Sequence, residues 1–73
     1  MNDSTAVFLK FLGDWDKFIS DSEAKELYSK FIMLNGKFRL MLVQKISNGE
    51  TPEKIKQALT TYLVRQQFEV LSA

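Results

Sequence analysis

Large apolar residues recur at steps of three and four along most of the chain. Phe8, Phe11, Leu12, Trp15, Phe18 and Ile19 define one face of a helix from about Thr5 to Ile19. Asp14, Asp16 and Lys17 fall on other faces, and Val7 and Leu9 lie off the main stripe. Gly13 lowers helix propensity by about 1 kcal/mol relative to Ala, which points to close packing or to a tolerated weak point.

Ser20 and Glu23 then stand at capping-box spacing and start a second helix. Its stripe reads Ala24, Leu27, Tyr28, Phe31 and Leu34. The apolar steps stay in register through Phe38, Met41, Leu42 and Ile46, so one long helix to Ser47 is one reading. The pair Asn35-Gly36 interrupts it and favours a break, because Asn-Gly marks a stop or a tight turn.

The segment Ile46-Ser47-Asn48-Gly49-Glu50-Thr51-Pro52-Glu53 is the clearest punctuation. Asn48-Gly49 supplies a residue suited to the left-handed conformation that closes a helix. Thr51 suits an N-cap, Pro52 the first helical position, and Glu53 the positive end of the helix dipole. The last helix runs from Pro52 to about Val70 with a stripe of Ile55, Leu59, Tyr62, Leu63, Gln66 and Val70. Val64, Phe68 and Leu71 lie partly off that stripe. No segment alternates apolar and polar residues long enough for a strand. The expected fold is all-α, a compact bundle of three or four helices with a C-terminal helical hairpin, in a single domain spanning residues 1–73.

Composition changes this picture in three ways. Six of the nine aromatic residues are Phe, and these supply most of the burial available to 73 residues. A domain of this size buries only roughly 60% of the surface of its unfolded chain, so the core must be dense or borrow apolar surface from a partner. Cys and His are both absent. That removes thiolate metal sites, disulfides, the usual general base and the commonest metal ligand. No cofactor is expected. Apolar runs such as Ala6–Leu9 and Phe31–Leu34 are far too short to span a membrane. Asp3 and the lack of a long apolar run speak against a signal peptide, so the expected location is cytoplasmic.

The net charge of +1 is unevenly placed. Residues 1–26 carry six acids against three lysines, whereas residues 27–49 carry Lys30, Lys37, Arg39 and Lys45 with no acid. An acidic first helix lying beside a basic middle one accounts for this. A basic face for an acidic partner or a phosphate backbone is the sharper alternative.

Catalytic constellations fail one by one. Asp14-Trp15-Asp16 opens like a calcium loop, but Phe18, Ile19 and Lys25 stand where an oxygen ligand, Gly and Glu are required. Asp21, Glu23 and Glu26 suit the start of a helix dipole better than paired acid–base work. The serines have no His to activate them. An enzyme is not expected.

Met41–Gly49 followed by Thr51–Leu63 has the layout of a helix-turn-helix, with Lys54, Lys56, Gln57 and Thr60 on the recognition helix. Lys45 stands where that motif wants a small residue, and Glu53 would face phosphate repulsion. An ordinary helical hairpin explains the same residues.

The span Phe38–Leu71, with its Asn48-Gly49-x-x-Pro52-Glu53 punctuation, resembles the small helical-hairpin co-chaperones of type III secretion needle subunits. The same span, with Leu59-x-x-Tyr62-Leu63, is also similar to part of the helical-bundle immunity proteins of class IIa bacteriocins, which are usually longer. Each resemblance covers about half the chain and carries over no functional residue. Both imply a non-catalytic protein that works by binding another protein.

The sequence therefore points to a small adaptor, co-chaperone or inhibitor. Val7, Leu9, Val64, Phe68 and Leu71 would form its apolar partner surface, with Lys37 and Arg39 setting orientation. A second copy of the chain is the simplest partner. A DNA-binding regulator using Lys54, Lys56, Gln57 and Thr60 is the alternative.

Overall fold

The computed structural model describes residues 3–72. The first helix, α1 (Ser4–Asp14), is capped by Asp3, whose carboxylate accepts the Thr5 N–H at 3.0 Å. It buries Phe8 and Phe11 but stops five residues short of Ile19. The chain leaves the helix through a turn in which the Phe18 N–H donates to the Trp15 carbonyl at 2.9 Å. That turn carries Ile19 into the core and leaves Phe18 72% exposed, against the stripe that grouped the two. Gly13 is the tolerated weak point rather than a close approach, since a Cβ there would meet nothing within 4 Å.

Helix α2 (Asp21–Met33) begins at Ser20, whose Oγ accepts the Glu23 N–H at 3.1 Å. Only this half of the capping box forms. The Glu23 carboxylate reaches Lys56 instead, at 2.9 Å. The helix does break at Asn35-Gly36, and α3 (Gly36–Ser47) follows. Asn35 has ordinary extended backbone and acts as the N-cap of α3, its side chain accepting the Phe38 N–H at 3.1 Å. The Asn-Gly pair therefore opens a helix here instead of closing one.

At the other end of α3, Gly49 takes φ +82°. Its N–H donates to the Ile46 carbonyl at 3.0 Å, and the Glu50 N–H donates to the Lys45 carbonyl at 3.3 Å. These two bonds make a Schellman close. Thr51 Oγ1 accepts the Lys54 N–H at 3.4 Å, and α4 (Pro52–Ser72) starts at the proline. It runs 21 residues, slightly past the predicted end.

Helices α1 and α4 each pack on both α2 and α3, which gives a four-helix bundle whose last two helices form the hairpin. Its centre is aromatic. Phe8 stacks on Phe31 with ring centroids 4.3 Å apart, and Phe38 lies 5.5 Å from Tyr62. Phe8, Phe31, Phe38, Leu42 and Leu59 are fully buried. Each such side chain contributes roughly 1.5–3 kcal/mol by leaving water. Helix α1 does lie beside the basic α3, but it is not acidic: it carries only Asp14 against Lys10, the remaining acids falling at its cap, in the turn after it and on α2, and among the described residues no ion pair joins α1 to α3. No helix among the described residues is long and apolar enough to cross a membrane.

Candidate docking surface on the last helix

Helix α4 has two faces. Ile55, Leu59 and Tyr62 are buried on one side, and half-buried Gln66 continues the row. Val64, Phe68 and Leu71 point the opposite way, because at 3.6 residues per turn they lie about half a turn from that row. They are 47%, 64% and 81% exposed. Extended back by four and three residues, this row reads Gln57, Thr61, Val64, Phe68, Leu71, all exposed. The alternating spacing of four and three is that of a coiled-coil seam. The seam is about 21 Å long, and no charged side chain falls on it.

Gln66 is the polar member of the stripe along the last helix. In the structure its Oε1 accepts the Asn35 N–H at 2.7 Å and its Nε2 donates to the Met33 carbonyl at 2.9 Å. One side chain of α4 thus satisfies backbone groups on both sides of the α2–α3 break. Its role needs a partner 31 residues away, so spacing along the helix gives no sign of it. Val70 departs from the predicted stripe, being 71% exposed beyond the last turn that meets the bundle.

The remaining surface candidates divide. Leu9 is half exposed on α1. Val7 is not free, since it is half-buried against the core. Arg39 is folded inward. Its Nη2 donates to the Ile32 carbonyl at 2.6 Å, and its guanidinium stands 5.6 Å from the Phe31 ring. It closes the carbonyl end of α2, where a cation is favoured by the helix dipole. Lys37 bridges to Glu69 at 3.2 Å and ties the start of α3 to the end of α4. Both cations are thus engaged within the chain, Arg39 at the end of α2 and Lys37 in an exposed pair with Glu69.

The helix-turn-helix candidates sit on exposed or half-buried positions of α4, but their charge is largely matched. Lys56 pairs with Glu23 at 2.9 Å and lies 3.8 Å from Glu53. The hydrogen bond to Glu23 raises the Lys56 pKa, with both carboxylates adding attraction against a desolvation cost. Lys54 lies 3.9 Å from Glu50. Gln57 and Thr60 are exposed and uncharged. Of the two cations that would contact phosphate, Lys56 is thus paired, while Lys54 stays largely exposed at the limit of Glu50's reach.

The sequence reading missed a groove. Between α3 and α4 lies an open depression of about 420 Å³, walled in part by Lys45, Lys54, Arg65, Glu50, Gln57 and Thr61. Gln57 and Thr61 also belong to the seam, so groove and seam are continuous. Among the described residues neither Lys45 nor Arg65 has a carboxylate within 4.0 Å. Across the seam, a second recess of about 300 Å³ is lined by Gln66, Gln67, Val70 and Leu71. No three acidic side chains among the described residues converge to hold a metal ion. No protein-family model matches the chain, nor does any curated protein or solved structure.

Proposed function

We propose that this protein is a non-enzymatic interaction module that binds another protein through an apolar helix face, as an adaptor, co-chaperone or inhibitor does. The observation that carries this reading is the second face of α4. A helix that only completes a core has one apolar stripe and a polar opposite side. Here the opposite side carries Val64, Phe68 and Leu71, exposed and in coiled-coil spacing. Contiguous exposed apolar surface of this kind marks partner sites. The DNA-binding alternative draws less support, because phosphate contact needs several cations, Lys56 is paired with Glu23, and Lys54 has Glu50 and Glu53 beside it on the same helix start.

The test is a photo-cross-linking residue placed at Phe68, with Lys25 on α2 as the control position, in cells that make the protein. The reading expects protein adducts from position 68 and none from position 25. Adducts to nucleic acid, or none from position 68, would remove it.

A further inference from the structure

We propose that the α4 seam and the basic groove beside it form one docking surface for an amphipathic helix with an apolar stripe and acidic residues along one edge. This rests on the protein-binding reading above and names the partner's chemistry.

Size gives the first argument. A seam about 21 Å long and one helix wide has a footprint on the order of 250 Å². A stable interface buries about 800 Å² on each partner. A helix lying along the seam must therefore gain contact beyond it, and the adjoining groove is the depression that shares Gln57 and Thr61 with the seam.

Charge gives the second. The groove holds Lys45, Lys54 and Arg65 against Glu50 alone, and Lys54 already faces that acid. Arg65 stands 5.9 Å from the face of Phe38, which positions its guanidinium without neutralising it. A helix edge carrying Glu or Asp would meet two cations, Lys45 and Arg65, that have no carboxylate partner among the described residues. Desolvating those cations without such partners would cost binding energy.

A second copy of the chain answers this charge poorly. In an antiparallel pair centred on Val64, the two Arg65 side chains converge. In a parallel pair, heptad geometry sets Arg65 against the uncharged Thr60 of the other helix. Neither arrangement offers an acid, so the groove fits a different protein better than it fits itself.

The probes are two synthetic peptides of about three heptads. Both have Leu at the seam positions, with an edge of Glu in one and of Lys in the other. Fluorescence anisotropy with the full chain measures binding of each. The Glu peptide is expected to bind at least about tenfold tighter than the Lys peptide, with the preference shrinking as salt rises. Replacing Lys45 and Arg65 by Glu should reverse the preference. Phe68→Ser should weaken the Glu peptide about tenfold. Circular dichroism checks each variant's fold, and Val64→Ser with Leu71→Ser serves if Phe68→Ser unfolds. Equal affinity for the two peptides, binding of neither, or indifference to the seam substitutions overturns the proposal. So does a dimer of the chain alone that Phe68→Ser dissolves in sedimentation equilibrium, since a second copy then occupies the seam. If position 68 still cross-links to protein while acidic preference is absent, this inference fails and the broader reading stands.

Discussion

The two sides of α4 differ little in sequence and greatly in consequence. The inward side offers Ile55, Leu59 and Tyr62 to α2 and α3, and all three are 5% exposed or less. The outward side offers Val64, Phe68 and Leu71, each 47% exposed or more. Both rows are apolar and both follow helical spacing. What separates them is that two other helices, α2 and α3, cover one and none covers the other. Apolar character therefore does not by itself make a core residue; burial depends on what the rest of the chain places opposite.

The largest expected effect tests that asymmetry directly. Leu59→Ala should cost about 2–5 kcal/mol, because its side chain is fully enclosed and leaves a cavity. A chain of 73 residues has only about 4–11 kcal/mol of stability in all. Urea denaturation should accordingly show this variant close to unfolding, whereas Val64→Ala should stay within about 0.5 kcal/mol of the parent. Comparable losses at the two positions would end the distinction between the faces.

The polar end of the inward row comes next. Gln66→Ala removes two hydrogen bonds to the α2–α3 break and should cost about 1–3 kcal/mol by the same assay. Hydrogen exchange at the Asn35 amide should speed up with it. An unchanged Asn35 amide would mean that the break is held by Asn35 capping and Arg39 alone.

A smaller effect concerns the edge between the faces. Lys56→Met removes a partly exposed pair with Glu23, worth about 1 kcal/mol or less. The Lys56 pKa is raised by that partner, so its contribution is complete below pH 10.5 and fades as pH rises through the raised value. The difference in melting temperature between parent and variant should be constant from neutral pH up to 10.5 and narrow above it. A difference that widened there would contradict the pairing.

The smallest effect is the most diagnostic for the outward face. Phe68→Asp should change stability by no more than about 0.5 kcal/mol, since the ring is already mostly in water. A collapse in the thermal melt would return Phe68 to the core and remove the seam.

The helices and most of their ends are legible along the chain. Local chemistry sets these: Ser20, Asn35 and Thr51 each accept from the N–H three residues ahead, and Gly49 closes α3 by adopting a conformation that other residues resist. Spacing also placed Phe31, Phe38 and Leu59 inside, because helical periodicity puts them on one side of their helices. Spacing failed at Phe18, which is exposed because a turn ended the helix while the three-and-four rhythm went on; Ile19 is buried as expected, but from that turn and not from the helix. It failed again at Val70, which lies past the reach of the neighbouring helices.

The candidate surface exists only once the helices are packed. The row Val64, Phe68, Leu71 was legible as a set off the main stripe, but its isolation depends on where α1, α2 and α3 lie. The reach of Gln66 to Asn35, the inward fold of Arg39 and the meeting of Lys45 with Arg65 across one groove join residues 20 to 31 positions apart or lie beyond a helix break. Short-range hydrogen bonds and side-chain propensities act within a few residues and can be read along the chain. Burial and charge pairing act through space, and they exist only once the helices have packed.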